Sequence, residues 1–398
     1  MKQIVPFAQA DFGDEERQAV MRVLMGVWLA AGEENEKFEQ EFAKYTGSRY
    51  AICVNSGSSG LLLALKCLNL ERGAKVLTSA CGFPATVAPI IHCGLTPVFV
   101  DYHLPSHNID VDQTLSIIRS DTNIEAVIIA HTLGNPVDLE TISRECINRG
   151  IFLIEDCCEA VGTRYHGRSV GTLGDLGVFS FYPSHQMTAM GSGGMIITNS
   201  EYMADTIRSM RDWGKGYQGN YNLKDTRTTY KSEGLDFPYY PGYTYKTVGF
   251  NMKLPDPCAA FGRVQLKKLD GFVAKRQENF NKLNQLLKPT EHLFHGIVEP
   301  ADSSPAWFGY PLTLRDAKLS ARDRLGEYLE GLGIHHRPFF AGNVLRQPPY
   351  RAYGDANKYP VADKLMRDSL FVGVWQGMKP EDLYHVAEKV HTWTQSLW

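Results

Sequence analysis

The sequence contains no long hydrophobic run: no apolar stretch reaches the roughly 18–20 residues that a membrane-spanning helix needs. Residues 1–9 have none of the basic, apolar and small-residue regions of a signal peptide. Excess charge is also absent, since 41 lysines and arginines balance 44 aspartates and glutamates without any run of five like charges. This balance argues against nucleic acid or an anionic membrane surface as a partner. We therefore expect a cytoplasmic protein of small-molecule chemistry.

The eight cysteines form no C-x-x-C pair, and most of them lie within apolar runs, where a reduced thiol behaves as a small hydrophobic side chain. We therefore expect neither disulfides nor metal ligands among them. The cysteines are Cys53, Cys67, Cys81, Cys93, Cys146, Cys157, Cys158 and Cys258.

Short apolar, β-branched segments alternate with segments of helical periodicity through the first 200 residues. This alternation is typical of βα units around a mostly parallel sheet. Phe38, Phe42 and Tyr45 have the spacing of one helix face and predict an amphipathic helix that packs in the core. The predicted strands are Ala51–Val54, Val76–Ser79, Thr96–Val100, Ala126–Ala130, Ile151–Ile154, Gly177–Tyr182 and Met195–Thr198.

The pattern changes after this region. Residues 215–250 are rich in Tyr, Gly and Asn, and such a long stretch without periodicity predicts a functional insertion or a subunit-contact segment. Two helices and a strand are then predicted, at Ala259–Leu269, Gly271–Leu287 and Tyr310–Leu314. Since 398 residues are typical of two domains, we predict a large domain over 1–250 and a smaller α+β domain over 251–398.

The segment Asn55-Ser56-Gly57-Ser58-Ser59-Gly60 lies between a predicted strand and a predicted helix. Its glycines permit a tight turn, and free backbone amides with hydroxyls at a helix N-terminus favour a bound phosphate. A serine-rich helix cap without any ligand is the alternative interpretation.

The pair Glu155-Asp156 follows a predicted buried strand. An acid at the carboxyl end of such a strand points into the crevice where α/β sheets bind ligands, and a nearly buried carboxylate usually has a cationic partner. A protonated pyridine nitrogen is one such partner. An aspartate that caps the following helix is the alternative.

A third segment, Ser180-Phe181-Tyr182-Pro183-Ser184-His185, precedes the glycine-rich turn Gly191-Ser192-Gly193-Gly194. Taken alone, a histidine at such a place is more often an ordinary loop residue than a catalyst. The segment therefore indicates a catalytic role only when it is considered together with the serine-rich loop and the Glu155-Asp156 pair.

Together with Gly82-Phe83-Pro84-Ala85-Thr86 and Gly249-Phe250-Asn251, these segments resemble the fold type I, vitamin B6-dependent sugar aminotransferase family over nearly the whole chain. The resemblance implies an α/β fold of the fold type I aminotransferase kind, a homodimer, and pyridoxal or pyridoxamine 5′-phosphate as cofactor. It also implies a set of residues that contact the cofactor, through its phosphate, through its ring or across the subunit boundary. These residues are Gly57, Ser58, Ser59, Phe83, Asp156, Glu159, Ser180 and Asn251.

One position departs from the ordinary family pattern. Where His185 stands, other members carry a lysine that forms a Schiff base with the cofactor, and here no lysine lies between Lys75 and Lys215. Residues 181–185, with the form Phe-Tyr-Pro-x-His, are similar to the NDP-4-keto-6-deoxyhexose 3-dehydratases of 3,6-dideoxysugar biosynthesis. This subgroup implies a noncovalently held pyridoxamine phosphate, loss of the sugar's C3 hydroxyl, and regeneration by glutamate. His185, with a pKa near neutrality, would be the general base.

Two alternatives remain: an aminotransferase that is diverged or altered from Lys to His, and a non-catalytic B6-fold protein that binds a sugar nucleotide. Two local departures also bear on the placement of His185, since Ser192 stands where Glu is common and one extra residue precedes Gly191. Arg337 and Arg346 are candidates to bind the sugar-nucleotide diphosphate or the glutamate carboxylate, and equally suit surface ion pairs.

One branch of the subgroup ligates a two-iron cluster through cysteines that follow an Asp-Trp-Gly segment. Here Asp212-Trp213-Gly214 is present, but the next cysteine is Cys258, and such a cluster needs four ligands. The chain therefore resembles the branch without a cluster, and we expect no iron–sulfur cluster.

Overall fold

The computed structural model describes residues 4–216, 236–237, 241–316 and 321–395. Most of the tyrosine-rich stretch predicted at 215–250 lies outside these residues. Within them the helices are α1 Asp14–Leu24, α2 Glu33–Thr46, α3 Gly57–Lys66, α4 Pro84–His92, α5 Val111–Ser120, α6 Glu140–Arg149, α7 Glu201–Arg211, α8 Asp256–Leu286, α9 Ala321–Gly331, α10 Pro360–Asp368 and α11 Pro380–Gln395.

The strands of the same residues belong to one large sheet, a second smaller sheet and short ribbons. They are β1 Tyr50–Val54, β2 Lys75–Ser79, β3 Thr96–Val100, β4 Tyr102–His103, β5 Asn108–Ile109, β6 Ile124–Ala130, β7 Phe152–Asp156, β8 Arg164–Tyr165, β9 Arg168–Ser169, β10 Leu176–Ser180, β11 Gly194–Thr198, β12 Phe294–His295, β13 Ser303–Ser304, β14 Gly309–Leu314, β15 His336–Pro338 and β16 Ser369–Gly373.

The large sheet has seven strands in the order β1-β11-β10-β7-β6-β2-β3. Strands β10, β7, β6, β2 and β3 pair in parallel, whereas β11 is antiparallel to both of its neighbours. Every strand of this sheet overlaps a segment that the sequence predicts to be a strand. The predicted α/β fold class, with a mostly parallel central sheet flanked by helices, is confirmed.

Both faces of the central sheet are buried, as is usual where helices cover a parallel sheet. Along β6, Val127 and Ile129 pack into one apolar cluster, while Ala126 and Ile128 pack into another. Because successive side chains of a strand point to opposite faces, an uninterrupted apolar run supplies both layers. This packing on both faces fixes the positions of the strands and therefore of their carboxyl ends.

The smaller sheet has the order β12-β14-β16-β15 and is antiparallel throughout. The segments Ala259–Leu269 and Gly271–Leu287 are helical as predicted, but they belong to one helix, because α8 runs without a break from one to the other. Gly271 is exposed, and a helical glycine costs only about 1 kcal/mol, which the buried Leu269 and Val273 on either side offset. The domain boundary between residues 250 and 251 stays a prediction.

Within the described ranges, no helix has the length and apolar character needed to cross a membrane.

Candidate active site

A cleft of about 1030 Å³ opens where the parallel strands β6, β7 and β10 end. Most of the residues predicted for the site line it, and the smaller sheet contributes to its other wall. Ser59, Asn251 and Arg346 were also predicted, but they do not line the cleft. The predicted residues that do so are Gly57, Ser58, Phe83, Asp156, Glu159, Ser180, His185 and Arg337.

The serine-rich loop combines both interpretations that its sequence allows. Ser56 is a helix cap, since its Oγ accepts a hydrogen bond from the backbone N–H of Ser59 at 3.1 Å. The Oγ of Ser56 also donates a hydrogen bond to the Oγ of Ser59 at 3.0 Å, and Ser59 is not among the residues that line the cleft. Gly57 and Ser58 line the cleft at the N-terminus of α3, where free amides favour a phosphate.

Gly57 has no room for a side chain. A Cβ at this position would lie 2.8 Å from Sγ of Cys158 and 2.9 Å from Cβ of Ser180. The N-terminus of α3 is thus pressed against the ends of β7 and β10, which brings Ser180 beside the loop. These three segments form a cradle that suits a dianionic phosphate.

Asp156, at the end of β7, is buried, and its carboxylate faces the cleft. Its Oδ2 accepts a hydrogen bond from the Thr86 hydroxyl at 2.7 Å, and its Oδ1 accepts one from the backbone N–H of Cys158 at 3.1 Å. In the described part of the chain this carboxylate pairs with no cation. A protonated ring nitrogen fits such an uncompensated buried charge. Thr86 ends the motif Gly82-Phe83-Pro84-Ala85-Thr86, but the sequence predicts no role for its hydroxyl.

Glu155 lies beside Asp156 in sequence yet serves a different purpose. Its carboxylate accepts hydrogen bonds from the backbone N–H groups of Gly171, Leu173 and Gly174, each at 2.7 Å. It also bonds to Nε2 of His131 at 3.0 Å. Although His131, Glu155 and Cys157 approach closely enough to hold a metal ion, the carboxylate is already saturated by the protein. Glu155 is therefore a structural residue of the strand's other face.

Glu159 occupies the turn after β7 and lines the cleft. Its Oε2 accepts a hydrogen bond from the backbone N–H of Leu133 at 2.8 Å. Leu133 adopts a left-handed conformation, with φ of 57°, which is unusual for a residue other than glycine and directs its N–H at the carboxylate. Burial, with a further contribution from the charge of Asp156, raises the pKa of Glu159 to about 8. At neutral pH this side chain is a hydrogen-bond donor.

His185 lies in the loop after β10, with its ring centroid 5.2 Å from that of Phe308 and 6.3 Å from that of Tyr182. Its Nδ1 is buried and has no hydrogen-bond partner in the described structure. Burial, assisted by the nearby charge of Arg276, lowers the pKa of His185 to about 3. The imidazole is therefore neutral. Its pKa lies well below the near-neutral value expected from the sequence, because the ring is buried near a positive charge. No lysine is found among the described residues that line this cleft.

The two candidate arginines have different surroundings. Arg337, at β15, lines the cleft with its guanidinium 5.3 Å from the ring centroid of Phe7, and pairs with no carboxylate among the described residues. Arg346 instead forms an ion pair with Asp363 at 2.6 Å, outside the cleft. Arg346 thus forms the surface ion pair of the alternative interpretation, whereas the guanidinium of Arg337 lies at the cleft. A role in substrate binding stays a prediction for both.

The fold and the cleft define a vitamin B6 enzyme of the aminotransferase type. A family model described as the DegT/DnrJ/EryC1/StrS aminotransferase family matches residues 10–391. The chain belongs to this family. Its members depend on pyridoxal phosphate and modify sugars, which confirms the predicted cofactor class.

Several curated proteins are similar to the chain over most of its length. The lipopolysaccharide biosynthesis protein RfbH of Salmonella typhimurium is 36% identical over 97% of this chain and 91% of that protein. A dTDP-4-dehydro-2,6-dideoxy-D-glucose 3-dehydratase of Saccharopolyspora spinosa is 35% identical over 95% and 84%. A GDP-4-keto-6-deoxy-D-mannose 3-dehydratase of Yersinia pseudotuberculosis is 30% identical over 92% and 93%. The resemblance to the 3-dehydratase subgroup is thereby confirmed.

Solved structures give the same picture. A GDP-4-keto-6-deoxymannose-3-dehydratase variant with bound GDP-perosamine matches with a TM-score of 0.86 and 28% identity, over 97% of this chain and 99% of that one. An aminotransferase from Psychrobacter cryohalolentis matches with a TM-score of 0.88 and 26% identity, over 99% of each chain. Because dehydratases and aminotransferases share this fold, the choice between them depends on the residues of the cleft.

Proposed function

We propose that the protein is a pyridoxamine-phosphate-dependent 3-dehydratase that removes the C3 hydroxyl of an NDP-4-keto-6-deoxyhexose. The observation that carries this proposal is the neutral imidazole of His185 in a cleft whose described lining has no lysine. An imidazole transfers protons but forms no covalent tether to the cofactor. The similarity to two curated 3-dehydratases, at 35% and 30% identity, supports the same choice.

The residues of the cleft divide into three tasks. Gly57, Ser58 and Ser180 would hold the cofactor phosphate, Phe83 would lie against the ring, and Asp156 would keep the ring nitrogen protonated. When bound, pyridoxamine phosphate supplies the amine that condenses with the 4-keto group and a ring that accepts electrons. Asp156 therefore governs how strongly the ring withdraws electrons.

His185 would transfer the protons. With pyridoxamine phosphate bound, the imidazole would take up the proton that leaves the cofactor's methylene carbon and would pass it to the departing C3 oxygen. The ring of Phe308 packs against one side of the imidazole, with ring centroids 5.2 Å apart. Glu159, protonated at neutral pH, would donate a hydrogen bond to a ring substituent.

Arg337 would bind an anionic group, either the diphosphate of the sugar nucleotide or the carboxylate of glutamate. We also propose a homodimer. Asn251 is exposed near the exposed apolar side chain of Val248, and Val27 and Trp28 are exposed as well. A subunit contact that covered these side chains would remove their apolar surface from water. Sedimentation analysis with and without cofactor would test this, and a monomer under both conditions would contradict it.

The overall stoichiometry makes the function testable. The C3 hydroxyl leaves as water, the sugar product is reduced at C3, the cofactor is oxidised and its nitrogen is released as ammonia. Glutamate then restores the amine form and becomes 2-oxoglutarate. Purified protein with pyridoxal phosphate and glutamate is incubated with GDP, CDP, dTDP and UDP 4-keto-6-deoxy sugars. One of them should give a 3-deoxy product with equal amounts of ammonia and 2-oxoglutarate.

Two variants control this experiment. His185→Asn should bind cofactor but lose turnover by about 100-fold or more, the usual contribution of a general base. His185→Lys should give a covalently bound cofactor. A wild-type product with an amino group at C4 would instead favour the aminotransferase alternative, and absence of any spectral change with glutamate would favour the non-catalytic one.

A further inference from the structure

His185 is held from behind by a buried arginine. The Nη2 of Arg276, on α8, donates a hydrogen bond to the backbone carbonyl of His185 at 3.0 Å. Arg276 is fully buried, with no exposed surface. The imidazole itself has no carboxylate to orient it, because its Nδ1 has no partner in the described structure. Its position therefore depends on the backbone and on the rings packed around it.

The same guanidinium reaches two other segments. Its Nη1 donates to the carbonyl of Trp307 at 3.0 Å, and its Nε donates to Oε1 of Gln376 at 3.0 Å. Trp307 immediately precedes Phe308, whose ring packs against the imidazole of His185. Arg276 thus fixes both the loop that carries the imidazole and the segment that carries its packing partner.

Two further residues on the same face of α8 support this arrangement. Phe280, one turn after Arg276, stacks on Trp307 with ring centroids 3.8 Å apart and planes 7° apart. Asn279 donates a hydrogen bond to the carbonyl of Trp375 at 2.9 Å. The segments at His185, Trp307 and Trp375 are therefore all held to α8 by buried contacts.

The charge of Arg276 is not neutralised. Its acceptors are two carbonyls and one amide oxygen, and it forms no ion pair with a carboxylate in the described part of the chain. Burial lowers the pKa of Arg276 to about 9, and its positive charge acts on the neighbouring imidazole. The other titratable groups that line the same cleft are Tyr102, His131, Asp156, Cys158, Glu159, Tyr182, Arg337 and Tyr350.

We propose that Arg276 is a positioning residue for His185, which fixes the imidazole at the cleft and, through its uncompensated positive charge, disfavours the protonated form of the ring. The catalytic part of this inference rests on the proposed function. The electrostatic part does not, because it can be measured on the protein without any substrate. Arg276 is not a catalytic residue, since it lies behind the loop and does not line the cleft.

Gln376→Glu tests the charge effect without removing any contact. The glutamate can keep the hydrogen bond to Nε of Arg276 while it adds a negative charge that compensates the guanidinium. Histidine titration is followed by NMR on protein with ¹³C-labelled imidazoles, with and without pyridoxamine phosphate, and His185→Asn assigns the signal. In Gln376→Glu, the pH at which His185 is half protonated should lie about one pH unit or more above its value in the wild type. Gln277→Glu, which adds the same charge on the neighbouring residue of α8, should give a clearly smaller shift.

Arg276→Lys tests the positioning effect. A lysine keeps the charge but cannot reach three acceptors with a planar fork, so kcat should fall about tenfold while KM for the sugar nucleotide stays within twofold. Arg263→Lys, on the same helix but paired with Glu34 and Glu41, is the matched control and should leave kcat unchanged. If Arg276→Lys does not fold, Gln376→Leu, which removes the acceptor of Nε, takes its place in the kcat measurement, and an unchanged kcat there would overturn the positioning role.

The two proposals fail differently. Absence of dehydration with every sugar nucleotide, together with a shifted His185 midpoint in Gln376→Glu, would reject the proposed function and retain the role of Arg276. Normal dehydration with equal midpoints in wild type, Gln376→Glu and Gln277→Glu would overturn the electrostatic role. Unchanged kcat in a folded Arg276→Lys protein would overturn the positioning role.

Discussion

The hydroxyl of Thr86 lies 2.7 Å from Oδ2 of Asp156, across 70 residues of sequence. Thr86 belongs to the first turn of α4, two residues after Pro84, whereas Asp156 ends β7. With the backbone N–H of Cys158 on Oδ1, both carboxylate oxygens are fixed in direction. The carboxylate is therefore oriented before any cofactor arrives, which is how a buried charge is best used at a binding site.

Thr86→Val should weaken the binding of pyridoxamine phosphate by about tenfold, because a hydrogen bond to a charged group contributes about 1.5–3 kcal/mol. The valine has nearly the same shape, so the fold is expected to persist. Thr86→Ser keeps the hydroxyl and serves as the control. The dissociation constants are measured by absorbance titration of the cofactor. Equal affinity in wild type and Thr86→Val would show that this bond does not orient Asp156.

Gly57→Ala should lower the affinity for the cofactor phosphate by about tenfold. The added methyl group would lie 2.8 Å from Sγ of Cys158, and relieving such overpacking costs about 1–3 kcal/mol. Because the loop must shift to make room, the amides at the start of α3 would move away from the phosphate. Gly47→Ala, at the end of α2, has open space and a left-handed backbone, and controls for backbone strain alone. The same cofactor titration compares them, and unchanged phosphate affinity in Gly57→Ala would contradict the close packing.

The neighbouring carboxylates of β7 should respond oppositely to substitution. Glu155→Ala removes a buried acceptor of three backbone N–H groups and should reduce the free energy of unfolding by about 3–5 kcal/mol. Asp156→Asn keeps the hydrogen bonds nearly intact and should change stability little, while turnover falls by at least tenfold. Chemical denaturation and steady-state turnover separate the two effects. A stable Glu155→Ala protein would contradict the structural role assigned here.

Glu159 predicts a pH dependence of stability. Its pKa is raised from 4.5 to about 8 in the folded protein, so between these values the unfolded chain releases a proton that the folded protein retains. Stability from this group is therefore full below about pH 4.5 and is lost as the pH rises toward 8. Glu159→Gln should match wild type near pH 4 and melt at a higher temperature at pH 8. Glu381→Gln, at the exposed start of α11, should show no such trend.

Much of the site could be predicted because its elements are local. The apolar runs of β6 and β7, the glycine–serine loop after β1 and the acid at the end of β7 each lie within a few consecutive residues. Their side chains converge because parallel strands end at the same edge of a sheet. The partners of individual side chains could not be predicted in the same way, because they depend on how the chain folds. Arg346 forms an ion pair with Asp363, and Ser59 bonds to Ser56 in the cap of α3. The binding roles of Arg346 and Ser59 stay predictions.

The order of the amino acids by itself determined the α/β class, the cradle at Gly57 and Ser58, the acid Asp156 and the imidazole of His185, because periodicity and short motifs act over single elements. Only the tertiary structure decided that Thr86 orients Asp156 and that Arg276 lies behind His185, 91 residues away. Neither contact has a local signal, since α8 and the loop after β10 meet only when apolar burial packs the long helix against the sheet.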